Sequence, residues 1–263
     1  MRFASMFAAA AVLTIPAAAQ AQQERSDAQR SNASVYLGYA NVDEGFDDRV
    51  YAGAFVNAYS GDIGVHGDVV VVEREESAAF GSVGVSFSIA EGVRPRLTAG
   101  TSSDNDSILP ELFLSAALEM RPAEGWIVTP SLSYRDFRSG GEELAPAVEV
   151  ARYFNIAGDS GGYYVAQLRG RVSFNSSDED GYSISGGLQT VRSNGLSFGA
   201  TVEFGKITYD SVVGIGVRTD LFAVRPNVGY RLSDRHEIFL RGEYADTDFY
   251  TVSGLLAGFK LSF

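Results

Sequence analysis

Only two histidines occur in the chain, and one of them has a carboxylate two residues away. In Val65-His66-Gly67-Asp68-Val69 the spacing puts His66 and Asp68 on one face of an extended strand. A histidine beside a carboxylate can act as a general base with its orienting partner. Such chemistry would suit an enzyme acting on a lipid or surface substrate. No serine or second carboxylate at motif spacing completes the pair, so hydrogen bonding in a protein interior is the competing reading. His236, in Asp234-Arg235-His236-Glu237, falls in a polar turn and reads as structural.

A larger set of charges recurs with a period of two. Glu149, Arg169, Arg171, Glu203, Arg225, Glu237, Arg241, Glu243 and Lys260 each fall on the polar face of an alternating segment. Opposite signs fall on successive segments, as a cross-strand ladder needs. Such charges either fill and stiffen an interior or line a narrow path and set its ion preference. The acidic stretches Asp43-Glu44-Gly45-Phe46-Asp47-Asp48 and Ser177-Asp178-Glu179-Asp180 offer oxygen ligands to a hard cation. Neither has the spacing of an EF-hand. They read as solvated loops, able to bridge through divalent ions to anionic lipopolysaccharide.

Several classes are excluded at this point. The chain has no cysteine, which removes thiolate metal sites, Cys nucleophiles and disulfides. Gly-rich phosphate loops and metal-spaced histidine clusters are missing, so neither a metal nor a cofactor is expected. With 33 acidic and 21 basic side chains and a net charge of −12, the chain lacks the basic surface that nucleic acid requires.

The elements that must position these residues are strands. From residue 34 to the end, alternating segments of about ten residues recur between turns rich in Gly, Ser, Asp and Asn, the length with which a tilted strand crosses a bilayer. The pattern predicts strands at 34–42, 49–59, 63–73, 78–89, 93–101, 107–120 and 126–137, then 143–154, 163–174, 182–192, 196–205, 221–232, 236–245 and 250–263. No 3.6-residue periodicity is sustained. The expected architecture is all-β, a transmembrane antiparallel up-and-down barrel of about fourteen strands, with twelve to sixteen as the compatible range.

An even count brings both ends of the barrel to one rim. Alternate connections then sort themselves: 43–48, 74–77, 102–106, 138–142, 175–180, 206–220 and 245–249 fall on the outside and include the most acidic stretches. The other set, 60–62, 90–92, 121–125, 155–162, 193–195 and 233–235, is mostly shorter and less acidic. Segment 211–217 could be another strand, and is read here as an extension of an outer loop. Tyr59, Trp126, Phe137, Phe154, Tyr163, Phe174 and Tyr250 lie near strand ends, as residues of an interfacial aromatic girdle do. Pro226 falls in mid-strand, where a lost ladder bond has no water to replace it, and predicts a local bulge.

Both ends of the chain agree with this architecture. Arg2, an apolar run at 7–19 and the Ala19-Gln20-Ala21 junction are expected to be a cleaved secretory leader, residues 1–21. A short polar periplasmic lead, 22–33, and the barrel, 34–263, should follow. At the other end Phe263, Leu261 and Phe259 share one face of an amphipathic strand. This pattern resembles the insertion signal of bacterial outer-membrane barrels, which implies location in the outer membrane of a Gram-negative cell and recognition by the barrel-insertion machinery.

A more particular resemblance runs over about 126–263. Arg121-Pro122-Ala123-Glu124-Gly125-Trp126 leading to Leu132-Ser133-Tyr134-Arg135-Asp136-Phe137 resembles a turn-and-strand segment of the YaiO-type family of outer-membrane barrels. Glu149-Val150-Ala151-Arg152-Tyr153-Phe154 with Gly162-Tyr163-Tyr164 is similar to that family's next turn. Val228-Gly229-Tyr230-Arg231-Leu232-Ser233-Asp234-Arg235, then Arg241-Gly242-Glu243-Tyr244 and Phe263, is similar to its closing strands. The resemblance implies a fold and a compartment and carries over no catalytic residue. The functional expectation is a narrow or plugged pore or an envelope-structural barrel, embedded among outer-membrane lipid and lipopolysaccharide. The alternatives are an enzyme using His66 and Asp68, or an accessory to surface-polymer export docked to a periplasmic partner.

Overall fold

The computed structural model describes residues 31–43, 48–73, 77–103, 109–138, 141–176, 180–210 and 216–263, without the side chains of 208–217. The expected leader, nearly all of the polar lead, and the parts 44–47 and 177–179 of the two acidic stretches lie outside the described residues.

Fourteen strands form one closed antiparallel barrel. They are β1 (Asn32–Val42), β2 (Arg49–Ser60), β3 (Ile63–Glu73), β4 (Ser77–Phe87), β5 (Val93–Ser102), β6 (Leu112–Met120) and β7 (Trp126–Asp136). The second half is β8 (Glu142–Asn155), β9 (Tyr163–Asn175), β10 (Gly181–Val191), β11 (Leu196–Asp210), β12 (Gly216–Arg231), β13 (His236–Thr247) and β14 (Thr251–Ser262). Each pairs with its neighbours in sequence, and β1 closes on β14 from Asn32↔Ser262 to Val42↔Val252. Among the described residues there is no helix. Both ends of the barrel wall lie at one rim, called here the terminal rim; the opposite one is the far rim.

Alternation decides which side chains see the interior. Val35, Leu37, Val69, Val83, Leu97, Leu114, Leu132, Val148, Leu168, Ile184, Phe204 and Leu255 all point outward and are exposed. An exterior of this kind is stable when hydrocarbon rather than water surrounds it, because a closed barrel has already satisfied its backbone. The described outward aromatics are unevenly spread. Trp126, Phe154, Tyr164, Phe174, Tyr182, Phe198, Phe204, Phe222, Tyr230, Tyr244 and Phe259 sit on β7–β14, and Tyr39 on β1, whereas β2–β6 carry only Phe87.

Three of the residues expected in the girdle point inward. Tyr59 lies inside against the Arg94 guanidinium, 5.5 Å from the ring centroid. Tyr163 packs on Tyr153 inside the barrel, and Tyr250 is buried in an interior cluster. Nearness to a strand end is shared by both faces; parity, which separates them, had to be read from the neighbouring Gln167 and Arg169 or Asn57.

The 206–220 segment also corrects the expectation of a loop. Lys206↔Asp220 through Asp210↔Gly216 continue the β11–β12 ladder, so the hairpin extends beyond its neighbours and the strand count stays even. Strand β6 begins at Leu112 rather than 107, because Leu109 and Pro110 are buried in the connection before it.

Pro226 makes no bulge. Its pairing to β11 is continuous through Ala200↔Pro226, and on the other side Val224↔Tyr244 and Asn227↔Arg241 keep the same register. In an antiparallel strand a residue's N–H and C=O point to the same neighbour, so proline interrupts one ladder and leaves the other intact. Gly242 stands where the ring needs room; a Cβ there would lie 3.0 Å from the Pro226 Cγ. Pro130 and Pro146 behave alike, each with a gap in one ladder and no change of register.

Interior aromatics are seated on glycines of the next strand. Tyr36 lies over Gly53 and Tyr51 over Gly38, a reciprocal pair across β1–β2, and Phe239 lies over Gly258 across β13–β14. The turns at the terminal rim are tight. Ser60 and Ile63 are joined through Gly61, whose φ of 59° is the left-handed conformation a two-residue hairpin favours. The longest of these turns, 156–162, is tied to the next by Asp159, which accepts from the Ser193 hydroxyl and amide and from Arg192 Nε at 2.9 Å. These bonds hold the Asp159 carboxyl below the usual carboxylate range.

Gly53→Ala and Gly258→Ala should each lower the thermal unfolding temperature through a loss of about 1–3 kcal/mol of stability, because the new Cβ meets the Tyr36 or Phe239 ring. Gly170→Ala, with open space around its Cβ, should not; equal loss in all three would refute the seating. A second expectation concerns pH. The Asp159 contribution is complete above its unfolded pKa of about 3.9 and is lost as pH falls through the lower folded value. The difference in unfolding temperature between wild type and Asp159→Asn should therefore be constant from about pH 7 to 5 and close below about pH 4.

Candidate functional site

The inner face has three zones. Toward the far rim an apolar cluster covers the wall from β12 round to β6: Ala223, Ala245, Val252, Val42, Tyr51, Val70 and Phe80, with Phe113 against it. Leu109 and Tyr250 reach into it from the β5–β6 and β13–β14 connections and are 2% and 3% exposed. At the terminal rim Ile127, Ala151, Tyr153 and Val165 form a smaller dry cluster on β7–β9. Between and beside these lies the charged zone.

Six of the seven strands from β7 to β13 carry the charges as an alternating series. Arg135 Nη1 is 2.7 Å from Glu143 Oε2, and the other oxygen of Glu143 takes Arg171 Nη2. Arg225 bridges two carboxylates, with Nη1 2.8 Å from Glu203 Oε2 and Nε 3.0 Å from Glu243 Oε1. Arg171 is also within electrostatic reach of Glu203, so the signs run Arg135, Glu143, Arg171, Glu203, Arg225, Glu243. Strand β10, between them, offers only uncharged residues to the interior, among them Ser183, Ser185, Gly187 and Gln189.

The remaining charges extend this series. Glu149 stands opposite Arg169 in the β8–β9 register, and Arg96 of β5 approaches Glu149 across two intervening strands. Lys260 Nζ is 3.6 Å from Glu237 Oε2, and Arg241 lies near Glu237 and Tyr36. Every expected lumen charge is thus inward and near an opposite charge. Arg135, Glu143 and Arg96 were not among those expected. Their signal was present: Arg135 shares parity with Ser131 and Ser133, and Glu143 with Glu149. Both sit beside a connection, where loop and strand composition overlap.

Two of the ion pairs cross the ladders that proline interrupts. Arg225 and Glu243 face each other at the gap left by Pro226 between β12 and β13. The Arg171–Glu143 pair spans β8–β9 where Pro146 leaves its gap. At both gaps a side-chain ion pair on the inner face links the two strands where the backbone ladder is interrupted.

His66 and Asp68 are placed side by side but turned apart. His66 lies over Gly84 and its Nε2 is 3.0 Å from Thr98 Oγ1. Asp68 accepts from the Ser82 hydroxyl. A relay needs histidine between hydroxyl and carboxylate; here each has a separate hydroxyl, an arrangement that fixes side chains across β3, β4 and β5. His236 is at the terminal rim, bonded to Ser233 through Nδ1 at 2.8 Å and set against the Phe259 ring. Phe259, Leu261 and Phe263 share the outer face beside it, all exposed. Asp48, the described end of the first acidic stretch, turns to its own hairpin. It accepts from the Tyr39 hydroxyl, Asn41 Nδ2 and Val42 N, which holds its carboxyl below the usual range. Among the described residues no group of three or more acidic or histidine side chains is placed to hold a metal ion.

A closed wall with an aliphatic exterior and a charged interior defines a membrane β-barrel of the outer-membrane type. Solved structures with this fold include the Acinetobacter baumannii outer membrane protein Omp33, 11% identical over 89% of this chain and 99% of that one, with a TM-score of 0.56. A bacterial polysaccharide outer membrane secretin is 8% identical over 89% and 97%, with a TM-score of 0.54. The COG4313 outer membrane channel from Pseudomonas putida F1 is 10% identical over 89% and 95%, with a TM-score of 0.53. At such identities the likeness is one of fold. No protein-family model matches the chain, and no curated protein matches it significantly in sequence.

Arg225→Ala would leave Glu203 and Glu243 facing one another beside the Pro226 gap. The loss of stability should approach, and stay below, the ~3–5 kcal/mol of a fully buried broken pair, since these side chains retain some exposure. The triple variant Glu203→Gln, Arg225→Met, Glu243→Gln should recover much of it. Thermal unfolding in detergent checks both; a triple variant no better than Arg225→Ala would refute the pairing as the cause.

Proposed function

We propose that the protein is an integral outer-membrane barrel giving small ions a narrow, charge-lined passage. The observation that carries this is the alternating arginine–glutamate series on one inner wall, running beside the small neutral face of β10. The continuous part of the series runs over one arc, from β7 to β13, while apolar clusters cover other parts of the inner face. A passage along this arc would be lined by charge. Described residues at the far rim add an acidic approach, with Glu111, Glu142, Asp180, Asp220, Asp246 and Asp248 exposed against Arg138, Lys206 and Arg218. Cations should concentrate there.

The remaining parts of the reading follow the same orientation. The terminal rim faces the periplasm after a leader is removed, and the far rim faces lipopolysaccharide. The Phe259, Leu261 and Phe263 face is what the insertion machinery would engage, and the terminal-rim turns are where a periplasmic partner would dock. The segment similarities over 126–263 support assignment to the YaiO-type barrels. Nothing in the geometry of His66 and Asp68 favours an enzymatic reading over this one.

Single-channel recording from the refolded protein in a planar bilayer tests the passage. A small, steady conductance is expected, with the reversal potential moving further toward cations in Arg169→Ala and Arg225→Ala. Silence from protein shown to be folded and inserted would overturn the passage and leave a plugged, structural barrel.

A further inference from the structure

The charged wall is uneven in sign as well as in position. On β7, β8 and β9, three guanidinium groups meet two carboxylates: Arg135, Arg169 and Arg171 around Glu143 and Glu149. A fourth arginine, Arg96, approaches Glu149 from β5. Across β10 the balance is reversed, with Glu203 and Glu243 sharing Arg225. Arg171 feels the repulsion of both Arg135 and Arg169, so like charges are held together in a partly enclosed site. Such an arrangement costs free energy that a further negative charge would offset.

The residue type matters. The cations of this cluster are all arginine, whose planar fork pairs two donors with the two oxygens of a carboxylate or phosphate. The lysine of the lumen ladder, Lys260, stands apart near the terminal rim with Glu237. Between the arginines the wall is Ala145 and Ala147, opposite Ser133 and Ser131, and both alanines are buried beneath the longer side chains around them. Glu149 stands opposite Arg169 and within electrostatic reach of Arg96, the place that a solute oxyanion would take.

We propose that the inner wall of β7–β9, with Arg96, is a binding site for a multivalent oxyanion, carboxylate or phosphate, which displaces Glu149 from its arginines. The site deepens the reading of the lumen as a passage and rests on it only for how the anion arrives. Because the far rim is acidic, the anion enters from the terminal rim.

Binding can be read without conductance, by thermal unfolding of the folded full-length chain in detergent, followed through its heat-modifiable gel mobility. Citrate, inorganic phosphate and chloride are compared at equal ionic strength. Citrate and phosphate should raise the unfolding temperature above chloride, and citrate alone if the site selects carboxylates. Arg169→Gln and Arg171→Gln should each weaken the apparent affinity about tenfold or more, whereas Glu149→Gln should strengthen it by removing the internal competitor. Equal temperatures in all three salts overturn the site. So does a rise that survives in the Arg169→Gln, Arg171→Gln double variant, or one that Glu149→Gln weakens. Stabilisation by citrate in a barrel that proves silent would keep the site and discard the passage; conduction without stabilisation would do the reverse. In a conducting barrel, citrate should block more strongly from the terminal-rim side than from the far-rim side.

Discussion

Closure of the sheet is the constraint on which everything else rests. A strand edge in hydrocarbon would expose a row of N–H and C=O groups with no water to satisfy them. The β1–β14 pairing removes that edge along the full length of both strands. Once the wall is closed, its two faces are chemically independent. The outer one is free to be aliphatic, and the inner one can hold glycines, aromatic rings and charges that a soluble sandwich would place the other way round.

The interior then solves a packing problem with two kinds of material. Around β13, β14, β1 and β2, rings laid over glycines cover the wall closely, and the apolar cluster near the far rim continues this lining. From β7 to β13 the lining is ionic. Pro130, Pro146 and Pro226 lie on strands of the ionic arc, and two of the three gaps they leave are crossed by arginine–glutamate pairs. Side-chain electrostatics inside and backbone hydrogen bonding in the wall are parts of one structure here, and a change to either alters the other.

Much of this could be read from spacing because a strand's period of two is insensitive to error. Segments at 163–174 and 196–205 showed their polar and apolar faces at once, and parity from one end sorted the connections between the rims. Limits appeared where composition does not distinguish states. Tyr59, Tyr163 and Tyr250 are near strand ends like true girdle residues, and only their inward parity separates them. Residues 206–220 carry both strand-forming and turn-forming types, and the register of β11 with β12 decides between them. Arg135 and Glu143 lie beside a turn and read as loop charges until their strands are paired. Most of all, no spacing reveals that Arg225 takes two carboxylates or that His66 turns to Thr98 rather than Asp68. Those choices depend on three strands at once, and alternation describes one.

The uneven distribution of outward aromatics gives the molecule a front and a back within the membrane plane. Along β7–β14, outward tyrosine, tryptophan and phenylalanine supply rings of the kind that anchor a wall at headgroup level. Along β2–β6, Phe87 apart, the large outward side chains are aliphatic, with no ring to fix their depth. A barrel of this shape is anchored along one part of its circumference and free to shift along the other.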